Sequence, residues 1–496
     1  MNKSVLLIGF YNQKALGIRY LANALKKRGY DPHLLFFKEF NSQRPGKASE
    51  RELDLLEALI NKINPSFIGI SVMASLYLET VYLVNNRIRE KFDIPIIWGG
   101  VYPTLFPEKS LAYCDYVVRG EGEEALTELL ARLQSGEDVT HMPNLAFRSN
   151  GLIVNEPRPL VQNLDDLGYP EIGGGNKYFI HDNTLVEGDP QLRGMSYELT
   201  ASRGCPFTCS YCCSISLRRI YAQKGKYVRF RSVDNVMREL NEAKRNVKNL
   251  KVIHFWDEIF SDEAGWIEEF KSRYRKEIGL PFRIWGHPLK IRENVIKNLV
   301  EAGLYQIVVG IQSGSDRIRK EVFHRPETRE QIIESSRVLS RCKVPKVIYD
   351  FMLQHPFETR EDLKETYKLC LKLGRPFELQ LHGLNFLPGT DIVDMAIKGK
   401  YHSEEELEKM MYSSIQEQYD KHWGPAAANR ATENSVWVSL IFLTQFPSLA
   451  PLVKKLAAEA DKGNYEAVIL NLHKVMKQAL RLQNLLRKAR LVVTSK

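Results

Sequence analysis

Cysteine is scarce in this chain, with seven in 496 residues. The number is odd, and Cys205, Cys209 and Cys212 crowd one short loop, so a disulfide framework is not expected. No uninterrupted apolar run reaches the length of a membrane span. Met1-Asn-Lys-Ser leads straight into strand-like residues 5–10, and no secretory leader is expected there. Together these absences predict a reducing, cytoplasmic setting. An RNA-binding pattern with interleaved aromatics is also missing. The net charge of +10 therefore reads as solvated Lys and Arg on helix faces, and a nucleic-acid partner is not expected. What remains is ordinary for globular proteins, 44% hydrophobic and 26% charged. The length suits about three domains.

Residues 1–150 alternate strand-like runs (5–10, 33–37, 67–72, 94–98) with helical patterns (18–28, 50–61, 79–92). Gly29 closes the first helix. This is the spacing of βαβ units and predicts a doubly wound, open parallel sheet. Ligands of such sheets sit beyond the carboxyl ends of the strands. The loops there supply Gly17, Ser71, Ser75, Gly99, Gly100, Val101, Tyr102, Gly120, Glu121, Gly122 and Glu123 as candidate contacts. On these loops alone, glycines serving only tight turns explain the pattern equally well. Residues 151–195 carry Pro157, Pro159, Pro170 and Gly173-Gly-Gly175 without sustained periodicity, and read as a connector without chemistry.

Six strand-like runs (197–201, 252–256, 282–286, 306–310, 346–353, 379–386) alternate with helices across residues 196–395. Thr328 with Gln331 has the spacing of a capping box, and Gly303 ends the helix before the fourth strand. Six β/α units form an incomplete version of the eight-fold barrel, with the site at the carboxyl ends of its strands. The loop after the first strand reads Thr200-Ala-Ser-Arg-Gly-Cys-Pro-Phe-Thr-Cys-Ser-Tyr-Cys-Cys213. Thiolates spaced C-x3-C-x2-C can ligate three irons of a 4Fe–4S cluster and leave the fourth iron open. A structural zinc would want four closing ligands, and Cys213 is badly placed beside Cys212 to be the fourth.

This loop resembles that of the radical SAM enzymes, with Tyr211 as the aromatic before the last ligand. The resemblance implies that the open iron chelates S-adenosylmethionine (SAM), whose one-electron cleavage gives a 5′-deoxyadenosyl radical. It implies SAM contacts from Tyr211 and from Asp257 and Glu258 at the end of the second strand. It extends to Gln312 and Ser313 in Gly310-Ile-Gln-Ser-Gly-Ser-Asp316, where Gln312 stands in place of a Glu as in methylthiotransferase relatives. Arg325 is the implied partner of the SAM carboxylate, and Leu387, in Asn385-Phe-Leu-Pro-Gly-Thr390, lies in the turn beside the adenine. At the fifth strand His355 and Phe357 replace small residues of the family, which narrows that loop. A helix-start acidic pair is the plain alternative for Asp257 and Glu258, as is a surface side chain for Arg325.

The runs Trp98-Gly-Gly-Val-Tyr-Pro-Thr-Leu-Phe-Pro-Glu108 and Asp115-Tyr-Val-Val-Arg-Gly-Glu-Gly-Glu-Glu124 resemble the cobalamin-binding domain that precedes many radical SAM domains. Cobalamin domains that give cobalt a histidine carry D-x-H-x-x-G after the first strand. Residues 11–17 have none, and His33 reads as a strand residue, so cobalamin without a protein histidine is the implied form. The implied activity is methylation of an unactivated carbon, with an external electron donor of flavodoxin or ferredoxin type. A radical cyclase, oxidase or carbon–carbon coupling enzyme, like the anaerobic porphyrin-ester cyclase, is covered equally. A sensor without catalysis is the alternative of another class. Residues 396–496 are mainly helical, and the apolar run 436–446 reads as a core helix. A small-molecule or lipid-like substrate, and membrane contact through the basic residues 474–496, complete the expectations. Catalytic residues beyond these are not named by the sequence.

Overall fold

The computed structural model describes residues 2–40, 46–422 and 433–466, with 468, 469, 471, 472, 475 and 476. The chain divides into two compact units. The first comprises residues 1–285, 301–304 and 386–419, and the second 286–300, 305–385 and 420–496.

The first unit begins with β1 (Ser4–Phe10), β2 (Asp31–Phe37), β3 (Phe67–Ser71), β4 (Ile96–Gly99) and β5 (Tyr116–Val118). All are parallel to their neighbours, in the order β5-β4-β3-β1-β2. Their side chains alternate between two cores. Leu6, Ile8, Leu35, Ile68 and Ile70 face one side, under the helices Glu50–Ile63 and Leu78–Lys91. Val5, Leu7, Leu34, Phe36 and Phe67 face the other, under Leu16–Lys27 and Glu123–Ser135. Burial on both faces explains why these strands read as continuous apolar runs. The crossovers diverge on either side of β1, and such a switch point opens a crevice at the carboxyl ends of β1 and β3.

The sheet does not stop at residue 150. Strands β6 (Leu145–Ser149) and β7 (Gly151–Val154) extend one edge, and β8 (Lys177–His181) and β9 (Thr184–Glu187) the other. The segment read as a connector thus supplies three strands of a nine-stranded sheet. Strand β8 gave no local sign because it forms by parallel pairing with β2, Leu34 opposite Lys177, far away in sequence. The segment also carries a buried ion pair. Asp189 accepts from Arg19 Nη1 and Nη2 at 3.0 and 2.7 Å and from the amides of Gly173 and Gln191.

The six β/α repeats begin in this unit with β10 (Ser196–Leu199), a two-residue ladder of β11 (Ser202–Arg203) with β12 (Arg229–Phe230), β13 (Val252–Phe255) and β14 (Phe282–Gly286). Strands β10, β13 and β14 are parallel. They continue in the second unit with the parallel strands β15 (Leu304–Gln312), β16 (Lys346–Met352) and β17 (Glu378–His382). Capping boxes at Thr328–Gln331 and Thr359–Asp362 start the helices after β15 and β16.

In the second unit the helix Glu433–Leu443 buries Val436, Trp437, Leu440 and Ile441, with Trp437 edge-on to Tyr367 at 5.7 Å. It is a core helix, as its sequence indicated. Among the described residues no helix is long and apolar enough to cross a membrane. The basic residues 474–496 lie almost wholly outside the described residues.

Removing one partner of a fully buried pair leaves an uncompensated charge. Asp189→Ala is therefore expected to lose about 3–5 kcal/mol in chemical denaturation, against a far smaller loss for Lys62→Ala, which breaks the exposed pair of Lys62 with Glu187.

Candidate active site

A cavity of about 400 Å³ lies within the first unit. One wall is the switch-point crevice, with Gly17 after β1, Ser71 and Met73 after β3, Gly99 to Val101 after β4, and Gly120 to Glu123 after β5. The other wall is Thr200, Ser202, Arg203 and Gly204 before the thiols, with Tyr221, Tyr227, Arg229, Trp256 and Glu258. Among the described residues no histidine lines it. The candidate contacts of the first domain thus meet in one place, apart from two. Ser75 is buried away from the cavity, and Tyr102 turns into the core against Phe106 and Tyr412 at 5.3 and 6.3 Å. The turn that diverts Tyr102 needs glycine. At Gly100 φ is +102°, and a Cβ would sit 2.6 Å from the carbonyl oxygen of Val72.

Glu121 and Glu123 line the cavity, but their carboxylates are engaged. Arg229 donates to Glu121 Oε1 and Oε2 at 2.8 and 3.1 Å, and Arg203 to Glu121 Oε1 at 3.2 Å. Arg203 also reaches Glu123 at 2.5 Å. As direct ligand contacts these two carboxylates do not fit. Burial pushes Glu121 up, but the Arg229 hydrogen bond and the two guanidinium charges outweigh it and hold the carboxyl below its usual range.

Cys205, Cys209 and Cys212 lie on the turn between β11 and the helix Cys213–Ile220, all partly buried and unpaired by disulfides. They sit close enough for Cys209 and Cys212 to bear electrostatically on Cys205, whose thiol burial pushes up to about 12. The hydrogen bond to Cys213, together with burial, raises the Cys212 thiol, and the same bond lowers that of Cys213 against the effect of burial. Among the described residues no group of three His, Cys, Asp or Glu is already drawn together as a metal site. The donor set itself fits: three neighbouring thiols, with Glu258 facing them.

Asp257 and Glu258 divide their work. Asp257 is buried below the cavity, accepting from the amide of Ala201 at 3.0 and 3.1 Å and from the Ser202 hydroxyl. It anchors the start of the thiol loop and does not line the cavity. Glu258 lines the cavity, and burial raises its carboxyl. Neither is a helix-start residue, since the next helix begins at Ala264. Tyr211 is half-buried on the thiol loop. The segment around Leu387 is strapped to that loop: the Ile392 amide donates to Ser210 O at 2.9 Å, and Arg219 pairs with Asp391.

In the second unit Gln312 is buried at a bulge with φ +70°, and its Oε1 has no hydrogen-bond partner. Ser313 is fully buried, its hydroxyl accepting from the amide of Ser315. Arg325 is not a surface side chain. It is buried, with Nε on Glu327 at 2.6 Å and Nη2 on the carbonyl of Gly310 at 2.6 Å. Burial raises Glu327, but the His287 hydrogen bond and the Arg325 charge hold it at about 2. In the narrowed loop after β16, the His355 ring is buried between Phe323 and Phe357.

Sequence reasoning missed Arg203, Arg229, Tyr221, Tyr227, Trp256 and Met73. Arg203 and Trp256 fall inside motifs that were read for their neighbours. Tyr221, Tyr227 and Arg229 carry no local sign and come to the cavity only through the fold.

Residues 199–370 match the family model of the radical SAM superfamily, and residues 10–130 that of the B12 binding domain. The chain is 28% identical over 389 residues to an uncharacterized methyltransferase of Pyrococcus horikoshii, covering 77% of this chain and 78% of the relative. It is 24% identical to the anaerobic magnesium-protoporphyrin IX monomethyl ester cyclase of Cereibacter sphaeroides, over 71% of this chain and 55% of that relative. It thus spans about half the length of the cyclase. The fold is similar to that of the radical SAM methyltransferase TsrM from Kitasatospora setae with tryptophan substrate and a SAM analog bound (TM-score 0.64, 18% identity, 80% of this chain and 76% of that one). It is also similar to the cobalamin-dependent enzyme OxsB with aqua-cobalamin and SAM bound (TM-score 0.56, 18% identity, 85% and 56%).

Burial raises Glu358, beside His355, to about 8, so its protonated form stabilises the fold fully below the unfolded value and that stabilisation is lost as pH rises to about 8. Glu358→Gln is expected to remove this fall, giving a flatter stability profile between those limits in urea unfolding.

Proposed function

From a chain that is a radical SAM enzyme with an N-terminal B12-binding domain, we propose that it methylates an unactivated carbon of a small-molecule substrate. The observation that carries the proposal is the shared cavity. Loops of the B12-binding domain and the flanks of the thiol loop line the same space, so two cofactors would face one substrate.

When bound, a 4Fe–4S cluster with SAM would supply a hydrogen-abstracting radical, and cobalamin would supply the methyl group. Cys205, Cys209 and Cys212 would hold the cluster. In the first unit Glu258, Tyr211 and the turn at Leu387 would contact SAM. In the second unit the unpartnered Oε1 of Gln312, next to Ser313, is suited to accept a hydrogen bond from a hydroxyl. Arg325 would act through the backbone of Gly310, which it binds, since its guanidinium is already committed to Glu327. Gly17, Ser71, Gly99, Gly100, Val101, Gly120 and Gly122 would let the backbone approach cobalamin. Among the described residues the cavity offers no histidine to cobalt, which supports a cofactor without a protein imidazole. Asp257 fixes the entry to the thiol loop, and Leu16, Met73 and Trp256 give the cavity an apolar lining. A flavodoxin- or ferredoxin-type protein would supply the electron, in the cytoplasm.

Two measurements test this. Cys209→Ala should lose cluster iron and all 5′-deoxyadenosine formation under reduction. Methyl-labelled SAM should pass label to a product in an anaerobic extract. Label confined to SAM-derived fragments, with 5′-deoxyadenosine still formed, would replace methylation with a cyclase- or oxidase-type reaction.

A further inference from the structure

The acidic pair of the loop after β5 sits where a ligand of the first domain would be met, yet its carboxylates point at the arginines that flank the thiol loop. Five side chains from four parts of the chain are involved. Arg203 immediately precedes Gly204 and Cys205, and its guanidinium spans Glu121 and Glu123. Arg229, opposite Arg203 in the β11–β12 ladder, takes both oxygens of Glu121 and also donates to the carbonyl of Val161 at 2.7 Å. Glu121 in turn accepts from the amide of Val161. The ring of Tyr20, from the first helix of the B12-binding domain, lies 5.1 Å from the Arg203 guanidinium.

A second contact binds the same loop without charge. The amide of Glu121 donates to the hydroxyl of Tyr221 at 2.8 Å. Tyr221 follows the helix that Cys213 begins, so the chain reaches the loop from both sides of the thiols. Position 120 is glycine with φ +75°, and a Cβ there would lie 1.7 Å from the Tyr221 oxygen. The approach is therefore closed to any other residue without moving the tyrosine. Glu121 is 17% and Arg229 5% exposed in their side chains, so water screens these pairs far less than it screens surface ones.

We propose that Glu121, Glu123, Arg203, Arg229 and Tyr221 form a clamp that sets the separation between the thiol loop and the B12-binding domain. These are positioning residues. They transfer no proton and act on no reacting atom. Their effect is to hold the radical source and the methyl donor at one fixed distance from the substrate carbon. Reaction between held groups depends steeply on placement, so a shift of about 1 Å can cost about 100-fold. SAM cleavage needs only the thiol loop and its own contacts, whereas methyl transfer needs both walls at the right distance. Releasing the clamp should therefore uncouple the two.

The uncoupling test rests on the methylation proposed above; a second readout does not. Arg229→Gln, Glu121→Gln and the double variant are compared with the wild-type chain, with circular dichroism and cluster iron measured first. In the holoenzyme, the ratio of 5′-deoxyadenosine to methylated product should rise by about tenfold or more in each single variant. The double variant should be no worse than the singles, because the partners act as one unit. In the metal-free and cobalamin-free protein, amide hydrogen exchange in peptides covering 119–123 and 200–205 should quicken in each variant, with the helix 233–246 unchanged. Exchange that stays at the wild-type rate overturns the clamp, whatever reaction the enzyme performs. So does an unchanged product ratio in a methylating holoenzyme, or strictly additive effects in the double variant. Absence of methylation with quickened exchange would retain the clamp and overturn only the assigned reaction.

Discussion

Thiols placed close together resist ionisation, and at Cys205 burial and the two neighbouring thiols favour the neutral form. A loop that must present them to a metal has to be held by something other than the thiols. In this chain that support comes from both ends. Asp257, at the end of β13, takes the amide of Ala201 and the hydroxyl of Ser202, fixing where the loop leaves β10. Beyond the thiols, Ile392, Gly389 and Asp391 bind Ser210, Ser216 and Arg219. The thiols therefore sit on a pinned segment, and a bound cluster would not have to organise it.

The same logic governs the facing wall. A parallel sheet buried on both faces leaves only its carboxyl edge for chemistry, and the switch point beside β1 makes that edge concave. Glycine at position 100 lets the chain turn there against the carbonyl of Val72. The loop after β5 completes the wall and is tied back to the thiol side through Arg203 and Arg229. Site and scaffold are thus joined by charged side chains whose partners lie about 80 to 110 residues away.

Features with a short-range cause were legible in the sequence. The alternation of β1 to β4 with helices, the thiol spacing, the capping box at Thr328 and the core character of residues 436–446 all follow from local pattern. The rest depended on distant pairing. Strand β8 joins the sheet only because β2 is there to receive it, and Asp189 became a core residue only through Arg19. Tyr102 and Ser75 share loops with true cavity residues, yet one helical turn rotates them away. Glu121 and Glu123 were read as ligand contacts because their loop faces the cavity. Their carboxylates face arginines that no local pattern pairs with them. Arg325, which resembles a direct SAM partner by position, is committed to Glu327 within the second unit.

The central claim is that one cavity receives cobalamin beside the cluster. It is tested most directly by anaerobic reconstitution with iron, sulfide and hydroxocobalamin, followed by desalting and an absorption spectrum at several pH values. A charge-transfer shoulder of the cluster with stoichiometric retained corrinoid, whose spectrum shows no imidazole-bound cobalt, is the expected result. A cluster that forms normally while all corrinoid washes away would contradict the account.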